Sequence, residues 1–308
     1  MDVQLRQLRT LVAVADTGTF TEAAAVLGVS QAAVSRTVAA LETTLGARLV
    51  DRTTRHVALT ALGHRAVTTA RRILDDVAHL HRLTAAPRPE LRVGYHWAAL
   101  GKHTRPVQRR WAAAHPGVPL VFVQSATPTA GLADGSADVA VLRRPLDTPD
   151  PDPRPDPRTG TRTDSWRQPG LDPRLATAVV GHEARRAAVA TDNPLARRRS
   201  VTLADLARYT VAIDFRTGTT TPGLWPADAA PTTRHTRGLD EWLTLIAAGQ
   251  AVGLTAEATA NQNPRPGVAY RTVRDTPPIP VLLAWWRDDP PEHLPELLHL
   301  IRTTYLPA

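Results

Sequence analysis

Residues 19–46 read TFTEAAAVLGVSQAAVSRTVAALETTLG, and the fold turns on how that stretch is parsed. Thr19-Phe20-Thr21-Glu22 has the form of a capping box: Thr19 takes up an amide three residues on, and Glu22 reaches back. The short helix it starts ends at Gly28, and Ser30 caps a second helix running to about Leu45, closed by Gly46. Two helices joined by Gly28-Val29-Ser30 give a helix-turn-helix outline. In the second helix Val34, Val38, Leu41 and Leu45 fall within a narrow arc at about 100° per residue, so they are expected in the core. Roughly opposite lie Ala32, Ser35, Arg36, Ala39 and Thr43, with Gln31 beside them at the helix start. That face carries small residues, hydroxyls and one arginine, but no carboxylate. A solvated face usually mixes in Glu and Lys; this one suits a major groove lined by phosphates.

Working outward, Leu5, Leu8, Leu11, Val12 and Ala15 recur at helical spacing until Gly18. Downstream, Arg48–Thr60 places β-branched residues around a basic tip, as in a two-stranded wing. Residues 61–83 form a longer helix with an apolar stripe of Leu62, Ala66, Val67, Ala70, Ile73, Leu74, Val77, Leu80 and Leu83. Pairing with the same helix of a second chain would bury it. After Ala85-Ala86-Pro87-Arg88-Pro89, a linker, the period changes. Leu91–Trp97, Leu120–Gln124, Val139–Leu142, Ala187–Ala190, Val211–Phe215, Val252–Thr255 and Val281–Trp286 read as strands. Helical stretches at Leu100–His115, Leu203–Tyr209, Leu239–Ala248 and Leu294–Tyr305 alternate with them, which predicts an α/β domain with ligands at the strands' carboxyl ends. Residues 147–170, with six prolines, five aspartates and four arginines, break the pattern and read as a loop or insertion.

The 308 residues exceed one ordinary domain. The absence of cysteine excludes disulfides, thiolate metal sites and a cysteine nucleophile. No apolar run approaches the roughly 18 residues of a membrane span, and the start of the chain lacks the apolar core of a signal peptide, so a cytoplasmic protein with no membrane partner is expected. The net charge is +8, and Lys102 is the single lysine. A GC-rich genome yields such arginine usage by itself, and residues 1–90 hold 11 arginines against 8 acids. Position, not total charge, therefore carries the nucleic-acid argument. The histidines offer no metal site: His79 and His81 diverge on a helix, and His96 and His103 lack a third ligand at suitable spacing. There is no nucleophile elbow, phosphate-cradling loop or dinucleotide fingerprint, so no enzyme activity and no cofactor are expected.

Ala23-Ala24, Leu27, Val29-Ser30-Gln31, Val34-Ser35-Arg36, Leu41-Glu42, Leu45-Gly46, Leu49, Arg52 and Leu59-Thr60-Ala61-Leu62-Gly63 together resemble the DNA-binding domain of LysR-type transcriptional regulators. Further on, Leu91-Arg92-Val93-Gly94, the LADGSADVAV of 132–141 and the AAGQAVGL of 247–254 resemble segments of that family's effector domain. Two departures stand out: Ala32 occupies a position that is often proline, and Val50 replaces a phenylalanine before the wing. The resemblance implies an all-α winged helix-turn-helix over 1–60, a dimerising linker helix over 61–89, and a two-lobed α/β domain over 90–308 similar to periplasmic binding proteins. Lobe I is expected at about 90–165 plus 268–308, and lobe II at about 166–267.

Within that frame Gln31 and Arg36 are expected at base edges or adjacent phosphates, Ser35 at either, Ala32 on the same face, and Ser30 as a cap that also meets phosphate. Arg52, Thr53 and Arg55 are expected to reach the DNA backbone or minor groove from the wing. An effector between the lobes would meet His96, Trp97 and Ala98, Ser125 and Thr127, Phe215 and Arg216, and Thr255. Trp97 reads equally as lobe packing, and Arg216 as one arginine among many. The resulting expectation is a sequence-specific regulator, acting as homodimer or homotetramer on an inverted-repeat operator in double-stranded DNA, modulated by a small molecule and touching RNA polymerase. The alternatives are a small-molecule-binding protein whose N-terminal domain serves assembly, and an effector-independent regulator.

Overall fold

The computed structural model describes residues 2–51, 58–83, 89–125, 127–144, 171–214 and 219–305, with the side chains of 81–83 left aside. The wing tip with Arg52, Thr53 and Arg55, the expected contacts Phe215 and Arg216, and the proline-rich 147–170 lie outside the described residues. The chain divides into two units, Met1–Ala86 and Pro87–Ala308.

In the first unit α1 (Leu5–Thr17), α2 (Phe20–Leu27) and α3 (Gln31–Leu45) pack around Leu11, Val14, Ala23, Val34, Val38 and Leu41. Thr19 Oγ1 accepts the Glu22 amide at 3.1 Å, and Ser30 Oγ accepts that of Ala33 at 3.2 Å, so both caps form where the sequence places them. Gly28 closes α2 at φ 65°, a left-handed conformation that a Cβ would strain, and the chain bends 103° into α3. Leu45 departs from expectation. It is 45% exposed, whereas Val34, Val38 and Leu41 are buried.

Strands β1 (Val50–Asp51) and β2 (Ala58–Leu59) pair antiparallel as the base of the wing. The Glu42 carboxylate, one helix turn before the end of α3, accepts the amides of Leu49 at 2.8 Å and Val50 at 3.0 Å and ties the wing to the helix. Helix α4 (Ala61–Leu83) then lies close over this junction: a Cβ on Gly63 would stand 2.0 Å from the Leu49 carbonyl oxygen. Part of the α4 stripe has an intrachain partner after all. Val67 and Ala70 are buried in the same core as α1, and Ala66 and Leu74 pack against it. Leu62, Ile73 and Leu80 remain exposed.

The second unit holds two sheets. In the first, β3 (Leu91–Tyr95), β4 (Leu120–Gln124), β5 (Val139–Arg143), β6 (Leu175–Glu183) and, late in the chain, β13 (Ile279–Trp286) lie in the order β4-β3-β5-β13-β6. Helices α5 (Thr104–Ala114) and α9 (Leu294–Tyr305) cover it around the buried Trp111, Leu297 and Ile301. The second sheet runs β10-β9-β11-β7-β12-β8, from β7 (Arg185–Ala190), β8 (Ser200–Val201), β9 (Val211–Asp214), β10 (Thr233–Thr236), β11 (Val252–Ala256) and β12 (Val268–Val273). Its faces carry α6 (Leu203–Leu206), α7 (Leu239–Ala247) and α8 (Glu257–Gln262), with Trp242 buried beneath α7.

Both lobe boundaries differ from those expected. Strand β6 pairs with β13 from Leu175↔Trp286 to Glu183↔Ile279, so Leu175–Glu183 belongs to the first lobe and not, as expected, to the second. Strand β12 pairs with β7 and β8, so it belongs to the second lobe and the return comes after Val273, not at 268. The ladder partners, not local composition, decide each case.

Replacing Glu42 with alanine leaves two wing amides without their acceptor. The expected cost is about 2 kcal/mol, read as a lower urea midpoint by far-UV circular dichroism. All seven tryptophans follow residue 90, so tryptophan fluorescence, which reports the other unit, should keep its midpoint.

Candidate functional site

On α3 the exposed positions are Gln31, Ala32, Arg36, Ala40, Thr43 and Leu45, with Ser35 and Ala39 half-buried at the margin. Ser30 is exposed at the N-terminus of the helix, its hydroxyl already engaged as the cap. The one carboxylate of the helix, Glu42, is turned to the wing amides. Arg36 therefore stands on a surface of methyl and hydroxyl groups with no acid of its own helix to hold it back. That arrangement can present a guanidinium to a guanine edge or a phosphate.

In the second unit a cavity of about 20 Å³, room for one water molecule, opens between the lobes. His96, Trp97, Ala98, Val141 and Arg143 line it from the first lobe, and Thr219, Thr255 and Thr259 from the second. The Trp97 indole lies 5.5 Å from Trp242, so a side chain from the loop after β3 packs on the core of the opposite lobe. His96 Nε2 donates to the Thr127 carbonyl at 2.8 Å, a partner that fixes the proton on that nitrogen. Burial lowers the imidazole against the pull of that carbonyl and of Asp214, so His96 is neutral at pH 7.

Behind the cavity Arg143 and Glu183 form an ion pair at 2.9 Å, with side chains only 8% and 7% exposed. Arg143 also donates to the carbonyls of Ala98 and Ala99, which shapes the loop carrying His96 and Trp97. Glu183 accepts from Arg143, from the Tyr305 hydroxyl at 2.9 Å and from the Ala258 amide of the second lobe at 3.2 Å. Burial alone would raise its carboxyl; the Arg143 charge and these donors overcome it and hold the group below the usual carboxylate range. Tyr305 is pushed up by burial and by the Glu183 charge, so it stays protonated and can only donate to that acid.

Four of the expected effector residues, His96, Trp97, Ala98 and Thr255, meet at this cavity. Ser125 and Thr127 do not reach it. Their hydroxyls bond each other at 3.0 Å and Thr127 takes the Gly131 amide, building the turn on which His96 rests. Arg143, Glu183, Thr219, Thr259 and Tyr305 were not anticipated. Their one sequence signal is a charged residue closing an apolar strand, as in Val139–Arg143 and Leu175–Glu183.

Residues 5–64 match the family description "Bacterial regulatory helix-turn-helix protein, lysR family". Residues 166–305 match "LysR substrate binding domain", and the two together span more than half of the chain. The chain belongs to the LysR family. It is 33% identical over 217 residues to the uncharacterized HTH-type transcriptional regulator YnfL of Escherichia coli K12, covering 68% of this chain and 64% of that protein. The chain thus spans somewhat under two thirds of that relative. To the small neutral protease regulatory protein of Streptomyces coelicolor it is 29% identical over 296 residues, with 89% and 83% covered. A crystal structure of full-length CbnR complexed with its target DNA superposes with a TM-score of 0.51 at 22% identity, covering 98% of this chain and all of that one. At that identity the likeness shows the shared fold. Both relatives are described as regulators.

Exchanging Glu183 for glutamine leaves Arg143 buried without its counter-charge, which should cost about 3 kcal/mol in urea unfolding followed by tryptophan fluorescence. The pH dependence has a definite sign. Because the folded carboxyl is held low, its contribution is complete above the usual carboxylate range and is lost as pH falls through the folded value. The glutamine variant should show a flatter acid limb than the parent.

Proposed function

We propose that this chain is a sequence-specific transcriptional regulator that binds double-stranded DNA through α3 and answers to a small molecule held between the lobes of its second unit. The observation that carries the reading is the exposed, acid-free face of α3, set 103° from α2 by the Gly28 turn and lying inside the matched helix-turn-helix segment. Arg36 and Gln31 would read base edges, Ser35 a phosphate or base, and Ser30 a phosphate beside its capping role, with Ala32 close to the groove floor. Exposed Leu62, Ile73 and Leu80 on α4 suit pairing with a second copy, which would present two recognition helices to successive major grooves of an inverted repeat. Assembly to a tetramer and contact with RNA polymerase belong to the same reading. In the first unit these roles rest on α3; in the second, on His96, Trp97, Ala98 and Thr255 around the interlobe cavity.

One observation favours a second reading for the C-terminal unit. With Trp97 seated on Trp242 the cavity admits no more than one water, which is what an effector-independent regulator would show. A metabolite must displace Trp97 or part the lobes to enter.

Footprinting on the intergenic DNA beside the chain's own gene, at two salt concentrations and with nonspecific competitor, tests the reading. A protected dyad that survives competitor is expected. Arg36→Ala should weaken that protection roughly 10–100-fold, the worth of about 1–3 kcal/mol of base contact, while the melting temperature stays the same. Equal binding of every fragment, collapsing with salt, would leave only backbone electrostatics and favour the assembly-module alternative.

A further inference from the structure

Trp97 stands in the loop after β3, and the backbone on either side of it is pinned. His96 donates to the Thr127 carbonyl at 2.8 Å, Gln124 donates to the His96 carbonyl at 2.9 Å, and Arg143 holds the carbonyls of Ala98 and Ala99. All of these groups belong to the first lobe. The Trp97 side chain reaches out of it and packs against the core of the second, on a cluster that includes Ala188, Ala212, Trp242 and Ile246. The two indoles lie 5.5 Å apart at 57°. The seat is firm. Trp242 is 1% exposed, donates to the Ala212 carbonyl at 2.9 Å, and lies so close over β11 that a Cβ on Gly253 would stand 2.1 Å from its ring. A side chain with a fixed root in one lobe and a fixed seat in the other couples the two bodies.

A second set of contacts between the lobes gathers where the chain crosses from one to the other. The Glu257 amide donates to the carbonyl of Ala184, the crossing residue, and the Ala258 amide to Glu183. Gln262 donates to the Gly101 carbonyl at 3.0 Å, and a Cβ on Gly101 would stand 2.6 Å from that of Ala258. The covalent crossing keeps α8 near these partners in any arrangement of the lobes, which makes this side the pivot. The Trp97 seat, on α7, has no such tether. Trp97 and Thr259 of α8 both line the one-water cavity, so the cavity is closed by the pivot on one side and the indole on the other. Parting the lobes would turn that indole and the apolar face beneath it toward water, and an empty cleft offers neither a replacement.

From this geometry we propose that Trp97 is a latch built into the fold: its indole, seated on Trp242, keeps the second lobe closed on the first when nothing is bound. The closed arrangement is then the resting state of the chain, and opening is the step that a signal must drive. The proposal concerns the chain without ligand, so it needs neither the metabolite-answering reading nor the effector-independent one.

The chain has no cysteine, so one introduced thiol reports on the cleft alone. Thr255 lines the cavity and is 2% exposed, and Thr255→Cys places a thiol there with little change of volume. The full-length protein carrying this substitution is labelled, with no ligand added, by iodoacetamide and by a bulky polyethylene glycol maleimide. Both should react slowly while Trp97 is present. With Trp97→Ala added both should react roughly 10–100-fold faster, because labelling follows the open population, and Trp97→Phe should fall between. The phenylalanine variant carries the test if the alanine variant does not fold. Leu297→Ala, in the first-lobe core under α9, serves as the control for lost stability. It should lower the melting temperature and leave labelling slow. Equal rates with and without Trp97 overturn the latch, as does fast labelling of the Trp97 protein by the bulky reagent, which means an open resting state. A gain confined to iodoacetamide marks a local hole in a cleft that stays shut, and overturns it too. So does an equal acceleration in Leu297→Ala, which would tie labelling to general unfolding.

Discussion

The C-terminal unit depends on one buried ion pair. Arg143 closes β5 and Glu183 closes β6, so both charges sit at strand ends where the first sheet faces the second lobe. Burial opposes each charge, and each persists because the other is 2.9 Å away. The pair then spends its remaining hydrogen-bonding capacity on its surroundings. Arg143 fixes two carbonyls of the 98–99 turn, and Glu183 gathers an amide from α8 and a hydroxyl from α9. The loop bearing His96 and Trp97, the last helix, and the edge of the second lobe are all referenced to this one pair. An apolar substitute of equal volume could fill the space, but it could not order three separate segments around itself.

The N-terminal unit solves its positioning problem with backbone groups. Ser30 and Thr19 cap, Gly28 bends the chain, and Glu42 clamps the first wing strand. Each of these residues serves geometry, which leaves the outward positions of α3 without a structural duty. The Arg71–Asp16 bridge between α4 and α1, at 2.6 Å but with both side chains over a third exposed, adds little beside the apolar contacts of Val67 and Ala70.

How much of this could be read from sequence divides along the same line. The helix-turn-helix is legible because every signal in it is local: caps, a left-handed glycine and a 3.6-residue period lie within 28 residues. Leu45 misleads because periodicity assigns a face without knowing what packs against each position of it. The stripe on α4 misleads in the opposite sense, since Val67 and Ala70 find α1 some 55 residues earlier. Strands β6, β8, β10 and β12 escape notice: Leu175–Glu183 is broken by Gly181, Ser200–Val201 is only two residues long, Thr233–Thr236 is polar throughout, and Arg271 and Thr272 interrupt the apolar residues of Val268–Val273. The lobe boundaries follow from which strands pair, a long-range fact. Of the cleft, the residues just after β3 and at the end of β11 are legible from strand ends. Arg143 is not, because nothing local distinguishes an arginine buried in an ion pair from its many exposed neighbours.

The two crossings between lobes, at Ala184 and after Val273, also say something about the chain as a piece of topology. Everything from β7 to β12 is contained between β6 and β13, which are adjacent antiparallel neighbours in the first sheet. The second lobe is therefore an insertion into a hairpin-like connection. The start of the unit at β3 and its last helix α9 both belong to the first lobe. A movement of the second lobe about its two tethers displaces neither the strand that follows the linker nor the final helix. Lobe I carries both ends of the unit, and lobe II hangs from it by two tethers.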